Sequence, residues 1–331
     1  MKILNLHRKL RFLLKASANF HIPSGERDIF LFATPRGGST WLMEILASQP
    51  GIKSFDEPLS PRRENVARSG LFPGYESLMP DTGDSGSIIG FLQDLQRGKH
   101  GYMNNAPFRR NHRFFTDRCV FKIHEIEHLM HRIEDECGAQ IVYLLRHPIA
   151  TSISRNALPR LDLFLNSTYY DGVLANREVA ARIRSISQTG SGLLRAVISW
   201  CYENVLALRK PGTKWLTITY EELVLNPARA GELLLTSLRL PDRAAMMSNF
   251  ERPAANIAMS RSETLAAMSS PDAQHRRRRL VSKWLDQVDQ NEVSQITEIL
   301  SLFEIDAYEA GAPLANARYL HFDDTVDRLK N

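Results

Sequence analysis

Apolar runs rich in β-branched and aromatic residues recur along the chain at 28–34, 118–123, 140–146 and 214–220. Their length and composition predict strands buried on both faces. Between them the apolar residues change to helical spacing. Trp41, Leu42, Ile45 and Leu46 share one face, as do Ile126, Leu129, Met130 and Ile133, and residues 193–208 and 228–240 repeat the pattern. Strands alternating with amphipathic helices predict a three-layer α/β/α fold with a mainly parallel central sheet. Two stretches break the alternation. Residues 72–116 are rich in Gly, Pro, Asn and Asp, and 158–190 are polar with tyrosines. Both are expected as insertions that shape a binding site. The division predicted is a basic N-terminal helical segment at 1–27, a single domain at 28–310 carrying both insertions, and a C-terminal tail at 311–331.

Charge changes the reading of the N-terminus. His7, Arg8, Lys9, Arg11 and Lys15 interrupt its apolar residues, so no run approaches the ~20 needed to span a bilayer. Residues 1–20 read as a basic amphipathic helix capable at most of weak membrane contact. The whole chain carries 42 Lys and Arg against 37 Asp and Glu, a net charge of +5. That surplus is too mild to call for nucleic acid and suits an anionic ligand. The three cysteines, Cys119, Cys137 and Cys201, lie far apart with no C-x-x-C spacing, which argues against a disulfide framework and for a reducing, cytoplasmic setting.

The candidate chemistry begins where the first strand ends. Thr34 runs into Pro35-Arg36-Gly37-Gly38-Ser39-Thr40 and then the helix of Trp41. Gly37 and Gly38 let the backbone curl so that N–H groups converge at a helix start, where an oxyanion is favoured. Ser39 and Thr40 add hydroxyl donors, and Arg36 adds a planar fork. The plainer reading is a strand-to-helix turn with Ser39 as N-cap. A Walker A loop is excluded, because no lysine precedes Ser39 and no obvious magnesium carboxylate follows a second strand. No metal is expected.

Thr34-Pro35-Arg36-Gly37-Gly38-Ser39-Thr40-Trp41-Leu42 resembles the 5'-phosphosulfate loop of the PAPS-dependent sulfotransferases, closest in style to the carbohydrate and tyrosylprotein members. That family's second signature is a strand ending in Arg with a Ser eight residues on, and Arg146 with Ser154 matches it. Tyr220-Glu221-Glu222-Leu223 is similar to the segment whose tyrosine stacks on adenine, and Ser282-Lys283-Trp284 to a C-terminal segment of tyrosylprotein enzymes. The likeness covers most of 28–308. It implies a P-loop-like sulfotransferase fold, PAPS as co-substrate with PAP as product, and a hydroxyl acceptor: a carbohydrate or glycoconjugate first, a peptide tyrosine or small molecule next. Trp41 is expected beside the adenine. The cytosolic subfamily's Arg-Lys-Gly element is missing, which leaves Arg276 to Arg279 and Ser282 as candidates to close on the 3'-phosphate. An arginine run is equally a solvated face.

Sulfuryl transfer resembles phosphoryl transfer, so it requires alignment, a base for the acceptor proton and positive charge at the leaving phosphate. Arg36, Lys122, Ser39 and Thr40 are expected to supply that field, with Lys122 on the leaving group. Two bases compete. Glu57, in Ser54-Phe55-Asp56-Glu57-Pro58-Leu59, resembles the catalytic Glu of carbohydrate and tyrosylprotein enzymes, and is preferred. His124, in Lys122-Ile123-His124, resembles the histidine of cytosolic ones.

A reading from another class comes from His124-Glu125-Ile126-Glu127-His128, which satisfies H-E-x-x-H, the zinc-hydrolase helix signature. It starts at a strand end, and neither the Gly nor the third His of the extended signature follows. A further alternative keeps the loops as a non-catalytic anion-binding module. It is favoured if Glu57 and His124 point away from Arg36.

Overall fold

A computed structural model describes residues 19–63, 66, 70–99, 113–254, 273–322 and 325. Most of the expected basic helix at 1–27, the middle of the first insertion and 255–272 lie outside these. The strands are β1 (Phe20–His21), β2 (Ile29–Ala33), β3 (Ile52–Asp56), β4 (Phe115–Thr116), β5 (Arg118–Ile123), β6 (Gln140–Leu145) and β7 (Leu216–Thr219). β1 and β4 form a small parallel pair, and the others form one parallel sheet of order β3–β5–β2–β6–β7.

Every residue of β2 and β5 is buried, as the continuous apolar runs predict for strands covered on both faces. Side chains alternate between two cores. Phe30, Phe32, Phe121, Ile141 and Tyr143 face one, and Ile29, Leu31, Val120, Val142 and Leu144 face the other. β3 escapes the apolar pattern because it is an edge strand: of its residues only Ile52, Phe55 and Asp56 are buried.

The helices relevant to the site are α1 (Ser39–Leu46), α2 (Ser85–Gln96), α3 (Met130–Glu136), α4 (Pro148–Ser152), α5 (Arg160–Leu165), α6 (Thr168–Asp171), α7 (Arg177–Thr189), α8 (Gly192–Arg209), α9 (Tyr220–Leu225), α10 (Pro227–Leu238), α11 (Arg243–Phe250), α12 (Ala273–Ser282) and α13 (Gln290–Leu302). Residues of α2, α3, α5, α7, α8 and α13 pack on the Phe30 face, and those of α1, α9, α10 and α11 on the Leu31 face. The architecture is the expected three-layer α/β/α. Both presumed insertions contain helix: α2 lies in the first and α5 to α7 make up much of the second. α7 is polar apart from a narrow buried stripe of Ala180, Ile183 and Ile186, which hides its periodicity. The C-terminal residues fold back, with Phe322 buried and Asn226 Nδ2 donating to Thr325 Oγ1 at 2.9 Å.

This topology fixes where a ligand belongs. β2 is followed by a helix on the Leu31 face and β5 by a helix on the Phe30 face. Connections leaving adjacent parallel strands toward opposite faces open a crevice at their carboxyl ends. Both predicted motifs and both candidate bases sit at such ends.

Candidate active site

The loop after β2 is built by its backbone. Thr34 O accepts from Gly37 N at 2.9 Å, closing a turn that holds Arg36 at φ 71° and Gly38 at φ 94°. A Cβ on Gly38 would lie 2.5 Å from the Tyr220 ring, so glycine is needed for both the left-handed backbone and the close approach. Gly38 is the N-cap of α1 and no side chain caps that helix. Ser39 instead sits inside the first turn, with its hydroxyl 3.3 Å from His124 Nε2. The first-turn N–H groups of α1 therefore face the crevice without a side-chain acceptor, as oxyanion binding requires.

The second motif closes on the first. Arg146 Nη1 donates to Arg36 O at 2.9 Å, and Arg36 Nε donates to Ser154 Oγ at 3.3 Å. The Arg146 guanidinium lies 4.0 Å from the Tyr220 ring centroid, a cation–π contact that orients it. Its Nε is buried and has no hydrogen-bond partner. Trp41 is only 6 % exposed; it meets Tyr220 and Phe250 edge-on at 6.0 and 5.7 Å and donates from Nε1 to Arg252 O at 2.9 Å. It thus supports Tyr220 from behind.

The C-terminal third holds the second motif in place. His147 stacks on Trp284 with centroids 4.0 Å apart, and its Nε2 faces Glu309 O at 3.3 Å. Its Nδ1 accepts from Ile149 N at 3.2 Å. Burial drives its pKa down to about 3. Glu221 accepts from His147 N at 3.1 Å and from Tyr308 Oη at 2.9 Å. Ser282 donates to Arg278 O on its own helix at 2.9 Å, and α12 packs against α9. Arg276 and Arg279 are exposed, while Arg277 and Arg278 are partly buried. The structure brings the loop, Arg146, Ser154 and Tyr220 together, and leaves Ser282 on the flanking helix.

The candidate bases lie at the ends of β3 and β5. Lys122, 3 % exposed, reaches Asp56 Oδ1 at 2.5 Å, Glu57 Oε1 at 2.9 Å and Thr40 Oγ1 at 3.1 Å. His124 Nδ1 faces Ala33 O at 2.5 Å and Nε2 faces Glu57 Oε1 at 3.4 Å. Arg63 Nη2 bridges Asp56 Oδ2 and Glu57 Oε2 at 2.9 and 3.2 Å. Burial alone would raise the Glu57 pKa. The hydrogen bond and charge of His124, then Lys122 and Arg63, hold it well below the usual carboxylate range. Both candidate bases therefore touch the loop's partners, directly or through Lys122.

Behind His124 lies a buried ion network that the sequence reading missed. Arg160 donates to His124 O at 2.6 Å, to Glu203 Oε1 at 3.1 Å and to both Glu127 oxygens at 3.1 Å. Arg155 pairs with Glu203 and donates to Ser199 Oγ at 2.9 Å. The H-E-x-x-H segment is thus committed elsewhere. It is no α-helix: His124 directly follows the last residue of β5, Ile126 takes φ 59° and a 3₁₀ turn covers Glu127–Leu129. The two histidines cannot share one helix face, and Glu127 is an ion-pair partner of Arg160. Burial lowers the His128 pKa to about 4. Among the described residues no three His, Cys, Asp or Glu side chains gather as a metal site requires.

A parallel α/β sheet with a glycine-built loop and an uncapped helix start at its switch point is an arrangement suited to an anionic ligand. The chain belongs to the sulfotransferase family, whose family model matches residues 28–244. No curated protein matches it. Among solved structures it is similar to mouse sulfotransferase SULT7A1 complexed with PAP, at 17% identity and TM-score 0.42, covering 88% of each chain. It is also similar to the sulfotransferase domain from the curacin biosynthetic pathway, at 18% identity and TM-score 0.42, covering 85% of this chain and 98% of that one. No described helix is long and apolar enough to cross a membrane.

Proposed function

We propose that the chain transfers the sulfuryl group of PAPS to an acceptor hydroxyl, that of a carbohydrate or glycoconjugate, with Glu57 as the base. The observation that carries this is a shared pair of partners. Lys122 and His124 touch Glu57 at 2.9 and 3.4 Å, and they touch Thr40 and Ser39 of the loop at 3.1 and 3.3 Å. Base and anion loop are one cluster, which weighs against a binding module without chemistry.

The residues fit the donor. The uncapped start of α1, Arg36, Ser39 and Thr40 would hold its 5'-phosphosulfate end. Arg146, with its unpartnered Nε, and Ser154 would hold the 3'-phosphate, and Tyr220 with Trp41 behind it the adenine. Arg276 to Arg279 and Ser282, on a helix packed against α9, are the residues available to cover the 3'-phosphate. When bound, PAPS supplies an activated sulfuryl group that transfers in line, with little covalent work left to the protein.

The chain's own work is alignment, charge and a proton. Lys122 and Arg36 set positive charge at the loop, where charge grows on a leaving phosphate. Glu57 is held ionised and ready to accept the hydroxyl proton. Its cationic neighbours Lys122 and Arg63 make it a weak base as it stands, because proton transfer is best when acceptor pKa and working pH are close. The three cysteines are free, in keeping with a cytoplasmic enzyme.

A second reading makes His124 the base. Its Nδ1 is turned to the Ala33 carbonyl, which in the neutral ring leaves the Nε2 lone pair facing Ser39 and Glu57. Radiolabelled PAPS with glycan, tyrosyl-peptide and phenol panels decides. Glu57→Ala is expected to abolish transfer with PAP binding intact; an active Glu57→Ala beside a dead His124→Ala assigns the base to His124. Label appearing on peptide or phenol but on no glycan refutes the acceptor class.

A further inference from the structure

Asp56 and Arg63 have no assigned part in the chemistry, yet they complete the cluster around Glu57. The geometry points to a positioning pair: Asp56 and Arg63 fix the Glu57 carboxylate and hold Lys122 beside the anion loop. This rests on Glu57 being the base.

The strand register creates the arrangement. Asp56 and Lys122 are direct partners across the β3–β5 pair, so their side chains leave the same face of the sheet. In a continued strand Glu57 would point to the opposite face. Instead Glu57 N donates to Lys122 O at 2.9 Å while Glu57 takes φ 54°, in the left-handed region. This break in the alternation aims two successive carboxylates at one lysine. A left-handed backbone on a side chain other than Gly, Asn or Asp is unfavourable and persists where its surroundings over-determine it.

The contacts form a closed ring of charges. Lys122 Nζ spans Asp56 Oδ1 and Glu57 Oε1 at 2.5 and 2.9 Å; Arg63 Nη2 spans Asp56 Oδ2 and Glu57 Oε2 at 2.9 and 3.2 Å. Both carboxylates are thereby fixed in rotation. Asp56 and Lys122 are 4% and 3% exposed, so this half of the ring is shielded from water, while Arg63 at 27% closes the outer side. When Glu57 takes a proton it loses its hold on both cations. Asp56 keeps both in place, and Lys122 stays beside Thr40 with its charge compensated. Two further titratable groups face Glu57: His124 at Oε1 and the buried Glu125, which feels the Glu57 charge.

The test compares Asp56→Asn, Arg63→Gln and Arg63→Lys with Glu57→Gln in the full chain. It measures transfer from labelled PAPS as kcat and KM across pH, and PAP binding by calorimetry. Asp56→Asn is expected to lose roughly 10- to 100-fold in kcat, the scale of a small misplacement of a reacting group. Its PAP affinity should stay within about twofold. Arg63→Gln frees Glu57 Oε2 and Asp56 Oδ2 from their shared cation, so kcat should fall about 10-fold with KM unchanged, and Arg63→Lys should restore it. A merely structural role would lower the melting temperature instead and leave the kcat of the folded enzyme unchanged. Arg63 lies at the edge of the cluster, so its variants keep the test alive if Asp56→Asn does not fold. A dead Glu57→Gln beside wild-type kcat in both Asp56→Asn and Arg63→Gln overturns the positioning pair alone. An active Glu57→Gln overturns both it and the base assignment.

Discussion

Replacing Gly38 with alanine perturbs the donor loop at one atom. The residue sits at φ 94°, where an L-residue costs about 1–2 kcal/mol over glycine. The added Cβ would also lie 2.5 Å from Cδ2 and 2.8 Å from Cε2 of Tyr220, so the ring must move. That ring carries the Arg146 guanidinium at 4.0 Å, and Arg146 holds the Arg36 carbonyl at 2.9 Å. One methyl group thus displaces both halves of the proposed nucleotide site. The backbone part is isolated by Gly25→Ala, at φ 89° with nothing within 4 Å of its added Cβ. The assay is thermal unfolding with and without PAP. A ligand at a hundred times its Kd stabilises by about 2.7 kcal/mol, and a hundredfold weaker site keeps only about 0.4. Both alanine variants should therefore melt lower than wild type, but only Gly38→Ala should lose most of its PAP-induced shift. A full shift in Gly38→Ala, or an equal loss in Gly25→Ala, refutes the reasoning.

Other expectations follow from the same contacts. Arg146→Ala should abolish the PAP-induced shift, and Ser154→Ala should weaken it, since Ser154 offers one hydroxyl; titration calorimetry measures both. Arg160→Met strips Glu127 of its bidentate partner in a buried setting. It should destabilise by about 3–5 kcal/mol in denaturant unfolding and also slow transfer by releasing the His124 carbonyl. The depressed pKa of His147 means that below its ordinary 6.5 the unfolded chain binds the proton first. Stability should then fall as pH drops from about 6.5 toward 3, by up to ~1.4 kcal/mol per unit. His147→Asn should flatten that slope in denaturant titrations at several pH values.

The sheet was legible where strands are buried on both faces, because β2, β5 and β6 leave mainly apolar runs, and edge strand β7 through its β-branched Thr217, Ile218 and Thr219. The loop was legible because Gly37, Gly38, Ser39 and Thr40 are the residues an oxyanion needs at a helix start. What escaped depends on contacts between distant segments. Asp56 looks like any acidic residue until the β3–β5 register sets it against Lys122. Nothing in the sequence marks Glu57 for a left-handed backbone, since it is neither Gly nor Asn. His124, Glu125 and His128 match a metal-helix spacing, and only the fold brings Arg160 from beyond α4 onto the His124 carbonyl and Glu127. The sequence does hold one hint of the ring around Glu57: Arg63 follows closely after Asp56 and Glu57, which puts opposite charges on one short loop.

The stacking of His147 on Trp284, with Tyr308 and Glu309 beside it, has a practical corollary for any attempt to shorten the chain. The stretch that the family model recognises ends at 244. A fragment cut there would strip the indole from a buried imidazole, leave Glu221 with one donor fewer and expose the flank of α9. The residue beside Arg146 would then be free to hydrate, and the donor site would loosen although the loop, Arg146, Ser154 and Tyr220 were all retained. The stretch that identifies a sulfotransferase here is shorter than the stretch that builds its core, which also takes in Trp284, Ile296, Ile299, Phe303 and Tyr308.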